Sequence, residues 1–376
     1  MLEIKKSAEW AGMDGDTSSM IMQLIWLIFF FLIITGLNQK IQTKIWIMDI
    51  RTKLNVIMSL VEEDRRRVAN MLRNLGVAAP DVLINRVVDF FTIEPVEIEP
   101  TDIIKRLDHL VRTTDESVKR MVEATVPHVG RYEKTLIESS LSIVGALNTI
   151  YKIVRHYLLT GERENNWILI MQLQFQMPMI MKIVNTYHEA LDAFSTGKPI
   201  GDAAGPLTVH RLIENGQVVS RKVVDETSII ELYYKDRRVF VIKAEGPGSN
   251  VGHPGAVLNK LVEDLKGNVD LIITIDAALK LEGEETGSLA EGVGAAIGDP
   301  GPEKIAIERA ASKYHIPLRA LVVKMDLREA ITVMRKEIFE ACYKAFKYVD
   351  KIIEEETKPK ATVIVAGIGN TMGVPG

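Results

Sequence analysis

Residues 361–376, ATVIVAGIGNTMGVPG, join a short apolar run to a glycine-rich segment. The same skeleton, G-x-G-x-x-x-G-x-P-G, occurs earlier as GPGSNVGHPG at residues 246–255, directly after the apolar run 239–244. Short runs rich in β-branched residues predict buried strands, and glycines after them allow the backbone to turn sharply. We therefore expect two strand-to-loop corners at one edge of a single parallel sheet.

The neighbouring sequence predicts an α/β domain over residues 197–376. Strand patterns cover residues 218–224, 228–234, 239–244, 271–275, 318–323 and 362–366, and helix patterns at 256–265, 302–311 and 326–356 separate the last four. Strands that alternate with helices indicate right-handed crossovers. The expected architecture is a three-layer, mostly parallel sheet with helices on both faces.

Residues 38–196 show helical periodicity and are expected to form a helical stalk and bundle. An apolar seam with 3–4 spacing runs through the first helix, at Ile47, Ile50, Leu54, Ile57, Val61, Val68, Met71 and Leu75, and Asp64 is its one break. Two interpretations remain open at this point. The seam either forms a coiled-coil stalk that makes a homo-oligomer, or it packs against the chain's own domain.

The segment MIMQLIWLIFFFLIITGL, residues 20–37, predicts a membrane anchor. A helix of this length spans roughly 27 Å, close to one hydrocarbon core. Lys40, Lys44, Arg51 and Lys53 follow it. By the positive-inside rule we expect a single-pass protein of the cell membrane, with residues 1–19 outside and the C-terminal domain in the cytoplasm. A buried core helix is the alternative.

Composition excludes some functions. The 376 residues carry a net charge of -4, which makes nucleic acid an unlikely partner, because binding to phosphates needs a basic excess. The single cysteine, Cys342, allows no intrachain disulfide. A long acidic and glycine-rich segment after residue 276 predicts either a functional loop or a solvated flap.

Three short motifs together resemble a known fold. They are GIGN at residues 367–370, GDAAGP at 201–206 and the strand that ends in IDA at 275–277. They resemble the phosphorylase/hydrolase-like fold of the hydrogenase-maturation peptidases and the spore germination protease, in a circularly permuted order. The resemblance implies that Asp202 and Asp276 are the two acidic residues of a hydrolase site. For the histidine of the maturation enzymes it leaves only His253 and His315.

The whole chain also resembles an uncharacterised archaeal membrane-anchored family, domain of unknown function 1512. The resemblance rests on PIGDAAGPL, on the long segment IDAALKLEGEETGSLAEGVGAAIG and on VIVAGIGNT. That family implies an architecture but no activity.

Three functions follow as hypotheses. The first is a membrane-anchored hydrolase of the peptidase type, in which Asp202 and Asp276 share a proton or bind a divalent metal. The second is a nucleotide- or dinucleotide-binding domain. The third is a non-enzymatic, oligomeric membrane scaffold that binds a protein or peptide. The candidate ligand-binding residues at the glycine corners are Gly246, Gly248, Ser249, Asn250, His253, Gly367, Gly369 and Asn370.

Overall fold

The computed structural model of this chain describes residues 20, 22–27, 37–90, 103–298 and 301–376. The predicted anchor therefore lies mostly outside the described residues, which include only its residues 20, 22–27 and 37. Residues 20 and 22–27 are helical and exposed. Within the described part of the chain, one helix, Trp167–Thr196, has the length and apolar composition needed to cross a membrane.

The helical N-terminal half consists of five described helices. They are α1 (Leu37–Asn74), α2 (Pro80–Val88), α3 (Ile103–Thr125), α4 (Arg131–Arg163) and α5 (Trp167–Thr196). The chain divides into two compact units. The first comprises Met1–Met58 and Ile150–Met181, and the second comprises Ser59–Thr149 and Lys182–Gly376.

The apolar seam of α1 is buried within the chain itself. Its buried members are Ile50, Leu54, Ile57, Val61 and Val68, together with Leu72. This burial agrees with the second interpretation, an amphipathic helix that packs on its own chain.

The break in the seam is also explained by packing. Asp64 is fully buried, and its carboxylate contacts Nδ1 of His188 on α5 at 2.9 Å and Arg67 at 3.3 Å. Burial raises the pKa of Asp64, and its contacts with His188 and Arg67 oppose that rise. A buried carboxylate needs such partners, so Asp64 is a structural ion-pair position in this bundle.

The C-terminal half is an α/β domain. A 3-10 turn, Gly201–Ala203, leads into α6 (Ala204–Asn215), and three strands follow: β1 (Gln217–Val224), β2 (Thr227–Tyr234) and β3 (Arg237–Ala244). The remaining elements are α7 (Pro254–Asp264), β4 (Leu271–Leu279), β5 (Leu289–Val293), α8 (Pro302–Lys313), β6 (Leu318–Met325), α9 (Leu327–Ile331), α10 (Lys336–Glu356) and β7 (Thr362–Gly367).

The seven strands form one mixed sheet in the order β1-β2-β3-β7-β4-β6-β5. The four strands β3, β7, β4 and β6 are parallel, whereas β1, β2 and β5 run antiparallel to their neighbours. Four expectations need correction. The sheet is mixed rather than mostly parallel, because its outer strands pair antiparallel, and the helix predicted over 326–356 is divided into α9 and α10. The acidic segment after residue 276 contains the edge strand β5, and β4 continues to Leu279 rather than ending at residue 275.

Helices cover both faces of the sheet. On one face, α6 and α10 pack against alternate residues of the strands, including Val241, Ile273 and Val365. On the other face, α7 and α8 pack against the intervening residues, including Ile242, Ile272 and Ile364. The central strands are apolar on both sides, as expected for parallel strands between two helical layers.

The last strand, β7, lies between β3 and β4. Gly367 at its end is opposite Lys243 on β3 and Ile275 on β4. Both glycine segments therefore leave the same edge of the sheet, next to each other, as the sequence pattern predicts.

Gly205 on α6 fixes the distance between that helix and this edge. A β-carbon at position 205 would lie 2.2 Å from the carbonyl oxygen of Ile368 and 2.5 Å from that of Ile275. We predict that Gly205→Ala lowers the free energy of unfolding by about 2 to 4 kcal/mol, because the main chain of β4 and of the segment after β7 would have to move.

The matched control is Gly292→Ala on the edge strand β5. A β-carbon there would meet no atom within 4 Å. Urea titration of the full chain in mild detergent should show this variant within about 0.5 kcal/mol of the wild type. Equal stability of the two variants would contradict the close packing of α6 on the strand ends.

Candidate acid pair and adjoining cavity

Asp202 lies at the end of β7 because of the 3-10 turn and the glycines around it. A β-carbon on Gly369, whose φ is +120°, would lie 2.1 Å from the carbonyl oxygen of Asp202. One on Gly367 would lie 2.6 Å from the carbonyl oxygen of Gly205. Gly367 and Gly369 are thus close-approach positions, which allow the 3-10 turn and α6 to contact the strand end.

The Asp202 carboxyl group accepts a hydrogen bond from the main chain of the GIGN segment. The N–H of Asn370 donates to Oδ2 of Asp202 at 2.8 Å. Burial raises the pKa of Asp202, and the Asn370 amide opposes this rise because it stabilises the carboxylate. This amide is the direct link between the two distant motifs.

Asp276 lies inside β4, opposite Val322 of β6, and is only 5% exposed. Its Oδ1 accepts the N–H of Ala277 at 2.7 Å, and the main chain of Gly298 also hydrogen-bonds to its carboxyl group. Burial, followed by the negative charge of Asp202, raises the pKa of Asp276 to about 8. At neutral pH Asp276 therefore keeps its proton.

The two glycine corners are hydrogen-bonded to each other. The side-chain amide of Asn370 donates to Oγ of Ser249 at 3.0 Å, and the N–H of Thr371 donates to the carbonyl of Asn250 at 2.9 Å. The buried Lys243 of β3 donates to the carbonyl of Pro375 at 2.6 Å. Residues 368–376 are therefore packed against the β3–α7 loop.

A cavity of about 530 Å³ opens beside these corners. Four of the predicted ligand-binding residues line it: Ser249, Asn250, His253 and Asn370. The predicted glycines do not line it. Gly246 packs against Val374 and Gly248 against Thr135, while Gly367 and Gly369 pack against the segment 202–205.

The opposite wall of the cavity comes from the helical half. Helix α3 contributes Arg112, Asp115, Glu116 and Lys119, and α4 contributes Glu138, Ser139 and Ser142. None of these residues was predicted from the sequence as part of a functional site. The charged residues of α3 have the pattern of an ordinary solvated helix face, so no sequence signal distinguished them.

Neither predicted histidine joins the acid pair as a metal ligand. His253 contacts Glu303 at 3.4 Å, and Glu303 also accepts the N–H groups of Gly255 and Ala256 at the start of α7. His315 precedes β6 and so lies at the other edge of the sheet. Among the described residues no three His, Cys, Asp or Glu side chains come together as a metal site. Two carboxyl groups without a histidine or a cysteine are a poor donor set for a zinc ion.

Family comparison agrees with the two-part organisation of the sequence. Residues 24–197 match the family model described as the N-terminal domain of a protein of unknown function, DUF1512, and residues 200–375 match its C-terminal domain. The chain belongs to the DUF1512 family. No curated protein matches it. In this DUF1512 protein, the C-terminal family domain holds both aspartates. The cavity at the glycine corners has walls from both family domains, and neither aspartate lines it.

The acid pair predicts a specific dependence of stability on pH. The folded protein keeps a proton on Asp276 up to about pH 8, whereas the unfolded chain loses it near the ordinary value of 3.8. Stability therefore falls as pH rises through this window and levels off above it. We predict that Asp202→Asn makes stability fall less steeply with rising pH, because it removes one charge that raises the pKa of Asp276.

The measurement is urea unfolding of the full chain between pH 5 and 9. Asparagine at position 202 can still accept the Asn370 N–H, so the fold should persist. Asp264→Asn, at the exposed end of α7, is the control and should leave the pH dependence unchanged. If the Asp202 variant follows the wild-type curve, the two carboxyl groups do not interact.

Proposed function

We propose that this protein is a membrane-anchored hydrolase, peptidase-like in its chemistry, and that Asp202 and Asp276 are its catalytic pair. One observation carries this proposal. Burial and the negative charge of Asp202 raise the pKa of Asp276 to about 8, so Asp276 keeps its proton at neutral pH. Two neighbouring carboxyl groups with separated pKa values are the usual arrangement of an acid and a base that work at neutral pH. Such pairs cluster at functional sites more than elsewhere.

The two carboxyl groups have different roles in this proposal. Asp202, whose carboxylate receives the Asn370 N–H, acts as the general base that removes a proton from the attacking water. Asp276, which is protonated at neutral pH, acts as the general acid and donates its proton to the leaving amine. No step requires a metal ion, since two carboxyl groups suffice for both proton transfers.

One contact and the order of the strands argue against the dinucleotide-binding alternative. A pyrophosphate would occupy the N-terminus of α7, but the carboxylate of Glu303 already accepts two N–H groups there, at 2.6 and 3.0 Å. In addition, β7 separates β3 from β4, so Asp276 is not on the strand next to β3, which leads into the glycine loop 246–252. A ribose-binding acid belongs on that neighbouring strand.

Membrane attachment through residues 20–37 is part of the proposal. Its support is the apolar length of the segment and the cations that follow it at Lys40, Lys44 and Arg51. The same charges favour a cytoplasmic C-terminal domain. Helix α5 is the competing candidate for a span, because it also meets the length and composition criteria.

The activity test uses the full chain in detergent and a quenched fluorescent peptide library as substrate. We predict that Asp276→Asn lowers kcat by about 10²-fold or more, since asparagine cannot donate the proton. The wild-type rate should decline above pH 8, where Asp276 loses its proton. Asp264→Asn should retain full activity. Unchanged cleavage by the Asp276 variant would refute the proposed role of the pair.

The anchor test introduces two arginines into the apolar segment. Leu24→Arg with Leu27→Arg places charge near the middle of the segment, which costs about 2.5 to 3.5 kcal/mol per residue for insertion. We predict that this variant is released from membranes by an alkaline wash, whereas the wild type is retained. The control is Leu279→Arg, at an exposed position of β4. Retention of the double variant would instead favour α5 as the span.

A further inference from the structure

Helix α1 is apolar on two opposite sides over residues 37–58. One side carries the buried seam described above. The other side carries Ile41, Ile45 and Met48, at spacings of four and three residues, and all three are exposed. A helix on the surface of a soluble protein has one apolar side, because its other side meets water. The described part of the chain covers one apolar side of α1 and leaves the other exposed.

Helix α5 has the same two-sided character. Its most apolar stretch of 18 residues has the composition of a membrane span, yet only 22% of that stretch is buried. Ile168, Phe175 and Met179 follow one row of the helix and are exposed, Phe175 at 70%. A core helix of this composition would be buried almost throughout. Packing within the described part of the chain therefore covers only part of the apolar surface of α5.

The two exposed rows lie on helices that pack side by side in one compact unit. The side-chain amide of Gln174 on α5 donates to Oδ2 of Asp49 on α1 at 2.7 Å. One residue further on, the ring of Phe175 lies 6.4 Å from the ring of Trp46 on α1, measured between ring centres. The apolar surface is therefore continuous from α5 to α1. We call the exposed residues of both rows the apolar face: Ile41, Ile45, Met48, Ile168, Phe175 and Met179.

The region that carries the apolar face is positively charged, whereas the whole chain has a net charge of -4. Residues 37–58 and 150–181 contain seven lysines and arginines but only three acidic residues, which leaves an excess of four positive charges with histidine neutral. Each acidic residue is already paired with one of these cations, in the pairs Asp49–Lys53, Glu162–Arg51 and Glu164–Arg163.

A basic region with exposed apolar side chains fits the surface of an anionic lipid bilayer. Amphipathic helices of this composition lie in the headgroup region, with their apolar residues toward the acyl chains and their cations near anionic lipids. A second copy of this chain fits less well, because two such surfaces would bring like charges together. The position in the chain agrees with a bilayer, since α1 begins at Leu37, the last residue of the proposed anchor.

We propose that the apolar face binds the surface of an anionic membrane, so that the first parts of α1 and α5 lie along the bilayer. This contact is separate from the proposed anchor over residues 20–37. It assigns the apolar composition of α5 to a surface contact rather than to a span. Exposure and charge support it independently, and the argument from position in the chain rests on the proposed anchor.

The test places a fluorescent label in the α5 row of the full chain. Gln172→Cys provides the thiol at an exposed position between Ile168 and Phe175 and leaves every apolar residue in place. The native Cys342 does not react, because it is buried and burial raises its pKa to about 12. The labelled chain is reconstituted in phosphatidylcholine vesicles with about 30% anionic phosphatidylglycerol. A fraction of the lipids carries a nitroxide quencher near the headgroup.

We expect the quencher to lower the fluorescence of the Gln172 label by about half or more, because the label would lie in the headgroup region. The nearby Gln174 contacts Asp49, which is roughly 18 Å along α1 from Leu37. An upright α1 would hold the label clear of the lipid. Leu279→Cys, an exposed position on β4, is the control and should keep its fluorescence. If the Gln172 label also keeps its fluorescence, the proposal fails.

Phe175→Gln combined with Met179→Gln tests the apolar face without changing any charge. Both side chains are exposed, so the fold should persist. In the double-arginine variant that lacks the proposed anchor, we expect this change to weaken binding to the anionic vesicles about tenfold or more. Leu279→Gln with Val293→Gln removes two exposed apolar side chains from strands and should leave binding unchanged. Unchanged binding of the Phe175 and Met179 variant would refute the role of the face.

Three further outcomes separate the alternatives. Quenching of the Gln172 label in the double-arginine variant would support the apolar face even if the anchor proposal fails. Equal binding of that variant to vesicles of phosphatidylcholine alone would refute the assignment to an anionic membrane. Disulfide cross-links between unlabelled Gln172→Cys chains, together with no quenching of the label by lipid, would overturn the proposal in favour of a second copy of the chain.

Discussion

The pairing of β7 with both β3 and β4 is the constraint on which the rest of the C-terminal half depends. It places the end of the chain's last described strand at the centre of the sheet, with Gly367 level with Lys243 and Ile275. Only because β7 ends there can the N–H of Asn370 reach Asp202, a residue 168 positions earlier in the sequence. The same pairing brings Asp202 close enough for its charge to raise the pKa of Asp276.

This arrangement also joins the two family domains at a chemical site. The glycine corners contribute one wall of the cavity, and α3 and α4 contribute the other. Ion pairs between Lys119 and Glu226, and between Arg131 and Glu245, connect the helical wall to the sheet edge. The helical half is therefore part of the wall of this cavity.

The fold was largely predictable from local patterns, whereas the details of the edge were not. Apolar runs such as 239–244 and 271–275 are short, rich in β-branched residues and bounded by turn residues, so the strands of the parallel core were predicted. The short strand β5 was missed because its five residues, LAEGV, include a glutamate and a glycine and show no run of β-branched residues. It is held as an edge strand by pairing with β6, which is a tertiary contact.

By itself, the sequence determined the α/β class and the glycine corners, since these follow from residue type and spacing. The two aspartates were singled out by the resemblance to a known fold. It did not determine that the predicted glycines act as packing positions, or that Glu138 and Asp115 face Ser249 across a cavity. Those relationships depend on which elements approach each other through space. They were decided only by the tertiary structure, because side-chain burial and charge interactions between distant segments have no local signature in the chain.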